Sequence, residues 1–425
     1  MANISVANFT DLNTACQTSN TITVTAPITV TSTITIPAGV TVNLTGAQLS
    51  TSTTALRHFQ LNGDLELNSI TLDGGTTGGG IVMGNAQGIV SPTLTIDAGT
   101  VIQNCNAQLG GAVLGNQNAK ITMNGGEIID NTANTYGGGI ACESGSTLDM
   151  NGGLIANNTA TYGGGIFIGT GSTATITGTS PTPTTPQTAP ATGYPAIYDN
   201  GTGAPTVQIG GGLYNDGTLN AINTLIQGNS ATLFGGGLYT TSSATLTDCL
   251  VDSNKVTTSA PGLGGAGICA SSIRVENSLT LDTCEVTNNI SNRHGGGLLL
   301  NYCNYTTNNT TVSYNQATTG NGGGFLIWYN VADAIGQYSS TITATGTNIV
   351  GSNIANDGGG MCISAGQNIN TENFTITKNQ ANVNGGGLYI GGVGDLGGPA
   401  EVTTGPNTVI SYNTATNGGG YFIAL

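Results

Sequence analysis

The side chains equipped for chemistry are few, and their spacing favours structure over catalysis. Eight cysteines and two histidines stand among 425 residues. No CxxC pair occurs, and neither His58 nor His294 stands near a cysteine, so no metal site is expected. Asp64, Asp73, Asp130, Asp149, Asp252 and Asp282 fall at mostly unrelated registers. Acid–base or calcium chemistry needs clustered carboxylates. Arg293-His294 before Gly295 is a local basic pair that a corner position explains. No catalytic, cofactor-binding or metal-binding residue is therefore assigned, and no cofactor is expected.

The cysteines have a different reading. Cys249 and Cys284 each precede an asparagine, Asn254 or Asn289, by five residues in successive repeats. Stacked there, they are candidates for a disulfide or a buried thiol ladder. Cys269 and Cys362 share another register but sit three repeats apart, roughly 14 Å at β spacing. That is too far for one bond within the chain, so their oxidation would link molecules. Small core residues are the plain alternative for most of the eight.

What must position these residues is a repeat. A glycine run followed by an apolar residue returns twelve times, from Gly78-Gly79-Gly80-Ile81 to Gly418-Gly419-Gly420-Tyr421. Most spacings are 25 to 36 residues and one is 47, which means stacked structural units. Upstream of most runs stands a β-branched residue, two variable residues and asparagine. Examples are Val101…Asn104, Ile128…Asn131 and Val251…Asn254. Thr-rich alternating segments such as Thr147-Leu148-Asp149-Met150 lie between, giving about three short strands per unit. The expected fold is all-β, a right-handed parallel β-helix (solenoid) of about 14 coils with a short N-terminal cap. Propeller blades of about 40 residues fit this unit poorly.

Stacked coils place equivalent residues about 4.8 Å apart. Asn131, Asn158, Asn229, Asn289, Asn315, Asn353, Asn379 and Asn413 are expected to form an amide ladder, each asparagine also tolerating a left-handed corner. Residues 1–75 read as cap and irregular first coils, with an amphipathic helical stretch within Val6–Cys16. Residues 76–425 read as the regular array, with a Pro/Thr-rich loop inserted at 179–206 and a smaller one around Gly391–Pro399.

The turn Ile36-Pro37-Ala38-Gly39-Val40 and the paired landmarks resemble surface β-helix domains of the pectin-lyase-like superfamily. The repeats are similar to those of the chlamydial polymorphic outer-membrane proteins and related bacterial and archaeal adhesin-like proteins. In that family the glycine motif usually reads Gly-Gly-Ala-Ile and the second motif begins with Phe. Here the third position is mostly Gly and the second motif begins with Ile or Val. The resemblance covers about residues 76–425 and implies a structural or adhesive surface role. Galacturonase-like Asn-Thr-Asp, Asp-Asp and Gly-His-Gly signatures are absent, and Gly391-Gly392-Val393-Gly394-Asp395 is one imperfect echo of a calcium-binding repeat.

After each glycine run the first residue faces inward and the next must face outward. Those outward positions are apolar in every repeat, and include Phe167, Tyr214, Tyr239, Leu299, Leu326 and Tyr389. A stripe this long exceeds what a free monomer exposes. Together with a sticky last strand, Tyr421, Phe422 and Ile423, it is expected to form a self-assembly interface, unless insertion loops cover it. Net charge is −15 with only 6 Lys and Arg, which argues against nucleic acid as a partner. No run of about 18 apolar residues could insert in a membrane, and no signal peptide is visible at the start.

The expectation is therefore a non-enzymatic structural protein, extracellular or on the cell surface. It would self-assemble, end to end and side to side, into a fibril, sheath or layer. The alternatives are a monomeric adhesin for glycans or other surface proteins, and a polysaccharide lyase or hydrolase.

Overall fold

A computed structural model describes residues 1–424 apart from 52, 85–89, 180–193, 203–206, 259–263, 273–276, 329–339, 365 and 392–399. Most of the expected 179–206 loop and of the 391–399 insertion therefore lies outside the described residues. Contacts divide the chain into two compact units, each a parallel β-helix. The first comprises Met1–Pro181, Gln187–Val207 and Gly211–Thr224, and the second Thr182–Pro186, Gln208–Gly210 and Leu225–Leu425. This division falls near residue 225.

One coil of the first unit sets the pattern. Lys120–Met123 lies in the first sheet, Glu127–Ile129 in the second and Ile140–Cys142 in the third. Each strand pairs in parallel with its equivalent one coil on: Lys120 with Thr147, Glu127 with Leu154, Ile140 with Ile166. Alternation dictates the sides. Ile121 and Met123 are buried while Lys120 is exposed, as period-2 geometry requires. The coils before residue 76 pair as regularly, Thr41–Thr45 lying against Asp64–Asn68. The second unit repeats the three sheets, and each unit has a short fourth one: Asn106–Leu109 pairs with Thr132–Tyr136 in the first, and in the second it runs from Ser230–Ala231 to Gln380–Asn384.

The cap is a strand, Ala2–Val6, followed by a seven-residue helix, Phe9–Ala15. The Asn8 side chain accepts a hydrogen bond from Asp11 N, so the helix starts on a proper N-cap. Leu12, Ala15 and Cys16 are buried, and Gln17 Nε2 donates to the carbonyl of Thr35 in the first strand of the third sheet. A polar chain end thereby covers apolar strands that would otherwise meet water.

The glycine runs are required by distance. In Gly358-Gly359-Gly360 the first residue has φ +62, a left-handed conformation that favours glycine. At the third position of a run, a Cβ on Gly324 would lie 2.6 Å from the carbonyl oxygen of Gly360 and 2.9 Å from Asn353 Nδ2. Ala112 holds this third position in one coil and is buried, so a single methyl is accommodated there. We expect Gly324→Ala, inside the regular array, to destabilise the second unit by about 1–3 kcal/mol. Chemical denaturation monitored by circular dichroism checks this; an unchanged midpoint would show that the close approach is dispensable.

Candidate functional site

Two features run along the coils and bear on function: the asparagine corner and the outward apolar stripe. The corner is built as the repeat implies, with every amide valence used. Asn353 Oδ1 accepts from Asn315 N at 2.9 Å and from Asn315 Nδ2 at 3.1 Å. Its own Nδ2 donates to the Val312 carbonyl at 2.9 Å and to Asn379 Oδ1 at 3.0 Å. The second-unit ladder runs Asn229, Asn254, Asn289, Asn315, Asn353, Asn379, Asn413. In the first unit it runs Asn131, Asn158, Asn200. A buried side-chain amide normally costs free energy unless it is fully hydrogen-bonded, and here it is.

Three details differ from the sequence reading. Asn200 and Asn254 complete the ladder, Asn200 from within the expected 179–206 loop, because Ala196–Tyr198 returns to the second sheet. The landmark Val101…Asn104 is one residue out of register. Ile102 pairs with Ile128, so Cys105 stands at the rung, its backbone N donating to Asn131 Oδ1. The left-handed residue is also not the ladder asparagine but the one before it. Asp130, Asn157, Asn288, Ser352 and Lys378 have φ between 54 and 57. The ladder residue must direct both its amide groups along the stacking direction, and its predecessor makes the bend.

The apolar stripe faces outward but is largely covered, a correction to its expected role as a free surface. In the first unit, Phe167 stacks on Tyr136 at 4.3 Å and on Tyr214 at 5.3 Å, while Tyr162 meets Tyr214 edge-on. Tyr136 and Tyr162 stand immediately before Gly137 and Gly163, so the corner folds its aromatics back over the sheet. In the second unit Cys269, Leu299, Leu326, Cys362 and Tyr389 form one buried cluster. Phe234, Tyr239, Trp328, Phe422 and Ala424 pack against it, and Tyr389 stacks on Phe422. Of the nearby candidate residues, Tyr214, Tyr239 and Phe422 are half-buried, and only Tyr421 and Ile423 are exposed. This outer cluster is a second core.

None of the eight cysteines is in a disulfide, and all are buried. Cys269 and Cys362 lie within the outer cluster, fully shielded, so they are not placed to link molecules. Burial pushes both thiols well up. Cys249 and Cys284 are neighbours at one corner, as their register requires. Burial first, then the adjacent Cys249 thiol, raises Cys284 far above its usual range. Cys284 Sγ donates to the carbonyls of Leu246 and Asp282, and in the next coil the Thr310 hydroxyl donates to those of Leu281 and Asn308. The thiol stands where a hydroxyl stands next door.

Sequence reasoning gave no role to Arg57 and His58, which occur once and carry no repeat signal. The half-buried Arg57 guanidinium donates to the carbonyls of Leu109, Gly110 and Gly111, tying down the chain around a glycine run. His58 is fully buried and its Nδ1 accepts from Gly80 N at 2.9 Å, so it is neutral in the fold. Burial lowers its pKa to about 4, partly offset by Asp73. Among the described residues, no group of three or more His, Cys, Asp or Glu is placed to hold a metal ion. Among the described residues, no helix is long and apolar enough to cross a membrane. No protein-family model matches the chain, and no curated protein matches it.

The histidine makes a test. The unfolded chain takes up a proton near pH 6.5, the folded one near pH 4, so stability is full above about 6.5 and declines as pH falls toward 4. For His58 the loss is on the order of 3 kcal/mol. Denaturation across pH 4 to 7 should show this slope in wild type and a shallower one in His58→Gln. Equal slopes would remove His58 as its source.

Proposed function

We propose that this chain is a non-enzymatic structural protein of the cell exterior that associates with itself into a fibril, sheath or layer. On its motifs it is a relative of pectin-lyase-like surface proteins, with repeats like those of the chlamydial polymorphic outer-membrane proteins. One observation carries the self-association. Three exposed large hydrophobic residues, Val409, Tyr421 and Ile423, lie in one coil.

The strand Tyr421–Ile423 concentrates this exposure. Tyr421 and Ile423 stand in register with buried Leu388 and Ile390, yet are 60% and 52% exposed, and Val409 in the same coil is 48% exposed. Covering such side chains is favourable at roughly 25 cal/mol per Å². The surface supplies little repulsion: 6% of residues are charged, and salt screens them beyond about 8 Å. Because the stripe is mostly covered, association is assigned to Tyr421, Phe422 and Ile423 and not to Phe167, Leu299 or Leu326. The helical cap at the first coils disfavours simple head-to-tail stacking. Sedimentation velocity and negative-stain microscopy of the full chain test the reading. Larger species should grow with concentration and salt, and Tyr421→Asp with Ile423→Asp should abolish them. A single particle size at every concentration would overturn it.

A further inference from the structure

We infer that the outer edge of the asparagine corner in the second unit binds an extended glycan chain, through Tyr314 and Tyr412. The residue before each ladder asparagine is left-handed, and at half of the rungs it is a type that favours this: Asp130, Asn157, Asp199, Gly228 and Asn288. Tyr314 and Tyr412 occupy the same position with φ 59 and 55. For a bulky aromatic that conformation is strained, and such strain concentrates where side chains meet ligands. Neither ring recovers the cost by packing. Tyr314 is 64% exposed and Tyr412 is 83% exposed. A third left-handed tyrosine, Tyr302, sits at another corner and is half-buried.

The two rings share one column. Ser313 pairs with Gly351, which pairs with Thr377, which pairs with Ser411, so Tyr314, Ser352, Lys378 and Tyr412 follow in successive coils. Three coil spacings separate the rings by about 14 Å. They cannot stack on one ring of a ligand, and a chain molecule lying along the column touches both. Between them stand a hydroxyl and an ammonium, Ser352 and Lys378. An aromatic face with hydrogen-bonding groups beside it suits a sugar, whose ring has an apolar face and a hydroxyl rim.

The other occupants fit less well. Strand Thr311–Ser313 beside Tyr314 is paired on both sides, while Val409–Ser411 beside Tyr412 is paired on one, so a peptide that extended the free edge would lie beyond Tyr412 and would not reach Tyr314, three coils away. One lysine in a chain of net charge −15 opposes a phosphate backbone. This proposal does not rest on self-association, which uses other residues.

Affinity electrophoresis of the full chain tests it, in gels containing one of three neutral polymers, a mixed-linkage β-glucan, a galactomannan or a xyloglucan. At least one polymer should retard the wild type. Tyr314→Asn and Tyr412→Asn should each weaken that binding about tenfold, and the double variant should run as in a polymer-free gel. Asparagine suits the left-handed position, so both variants should also unfold at a higher temperature, which separates lost binding from lost folding. No retardation by any of the three polymers, or asparagine variants retarded like wild type, would overturn the proposal. So would a change in sedimentation caused by these variants, which would assign the tyrosines to self-association instead.

Discussion

The stacked side-chain amide is the constraint on which the rest depends. A ladder asparagine accepts two hydrogen bonds and donates two, and all four partners lie in adjacent coils. Such a residue is stable in the interior only if the coils above and below keep register. The third glycine of most runs then follows, because a side chain there would occupy the space next to the neighbouring coil's amide, as at Gly297, Gly324 and Gly360. The left-handed residue before the rung follows too, since the chain must turn before the amide can point along the stack. Conserving register in this way leaves surface loops free to vary in length. Asn158 bonds to Asn200 although 42 residues separate them.

Outside the third sheet, the same register builds a second apolar layer. Residues that alternation sends outward are covered in the first unit by Tyr136 and Tyr162, and in the second by Phe234, Trp328 and Ala424. Burial of apolar side chains on both faces resembles what parallel sheets show when covered by helices, but here corners and strand ends provide the cover. The buried thiols belong to this economy of space. Cys249 and Cys284 use a hydrogen-bonding corner, while Cys269 and Cys362 fill the outer layer as small apolar groups.

Much of this was legible in the residues. The glycine period and the Ile/Val-x-x-Asn spacing lead to the coils and to most rungs. Where reading failed, the reason was physical. Asparagine suits both the left-handed bend and the rung, so pairs such as Asn157-Asn158 and Asn288-Asn289 hide which does which, and Asn104 is mistaken for a rung that Cys105 occupies. Period-2 alternation says which side of a strand a residue faces, not what comes to lie over it. The aromatics that cover the stripe stand one residue before a glycine run, a signal visible at Tyr136, Tyr162 and Phe234 but absent at His294 and Asn321. Arg57 and His58 act once, and a repeat pattern cannot expose them.

The most direct test of the ladder is equilibrium denaturation of Asn353→Leu beside an exposed-face control, Thr343→Ala. Leucine nearly matches the volume but removes the acceptor of the Asn315 backbone N–H and of one Asn315 amide N–H, and takes one donor from the Val312 carbonyl and one from Asn379 Oδ1, which keeps its bond from the backbone N of residue 353. The account predicts a loss of roughly 3–5 kcal/mol for Asn353→Leu and almost none for Thr343→Ala. A cost near zero for Asn353→Leu would mean that apolar packing alone holds the coils in register, and that the ladder is a consequence of the fold and not its constraint.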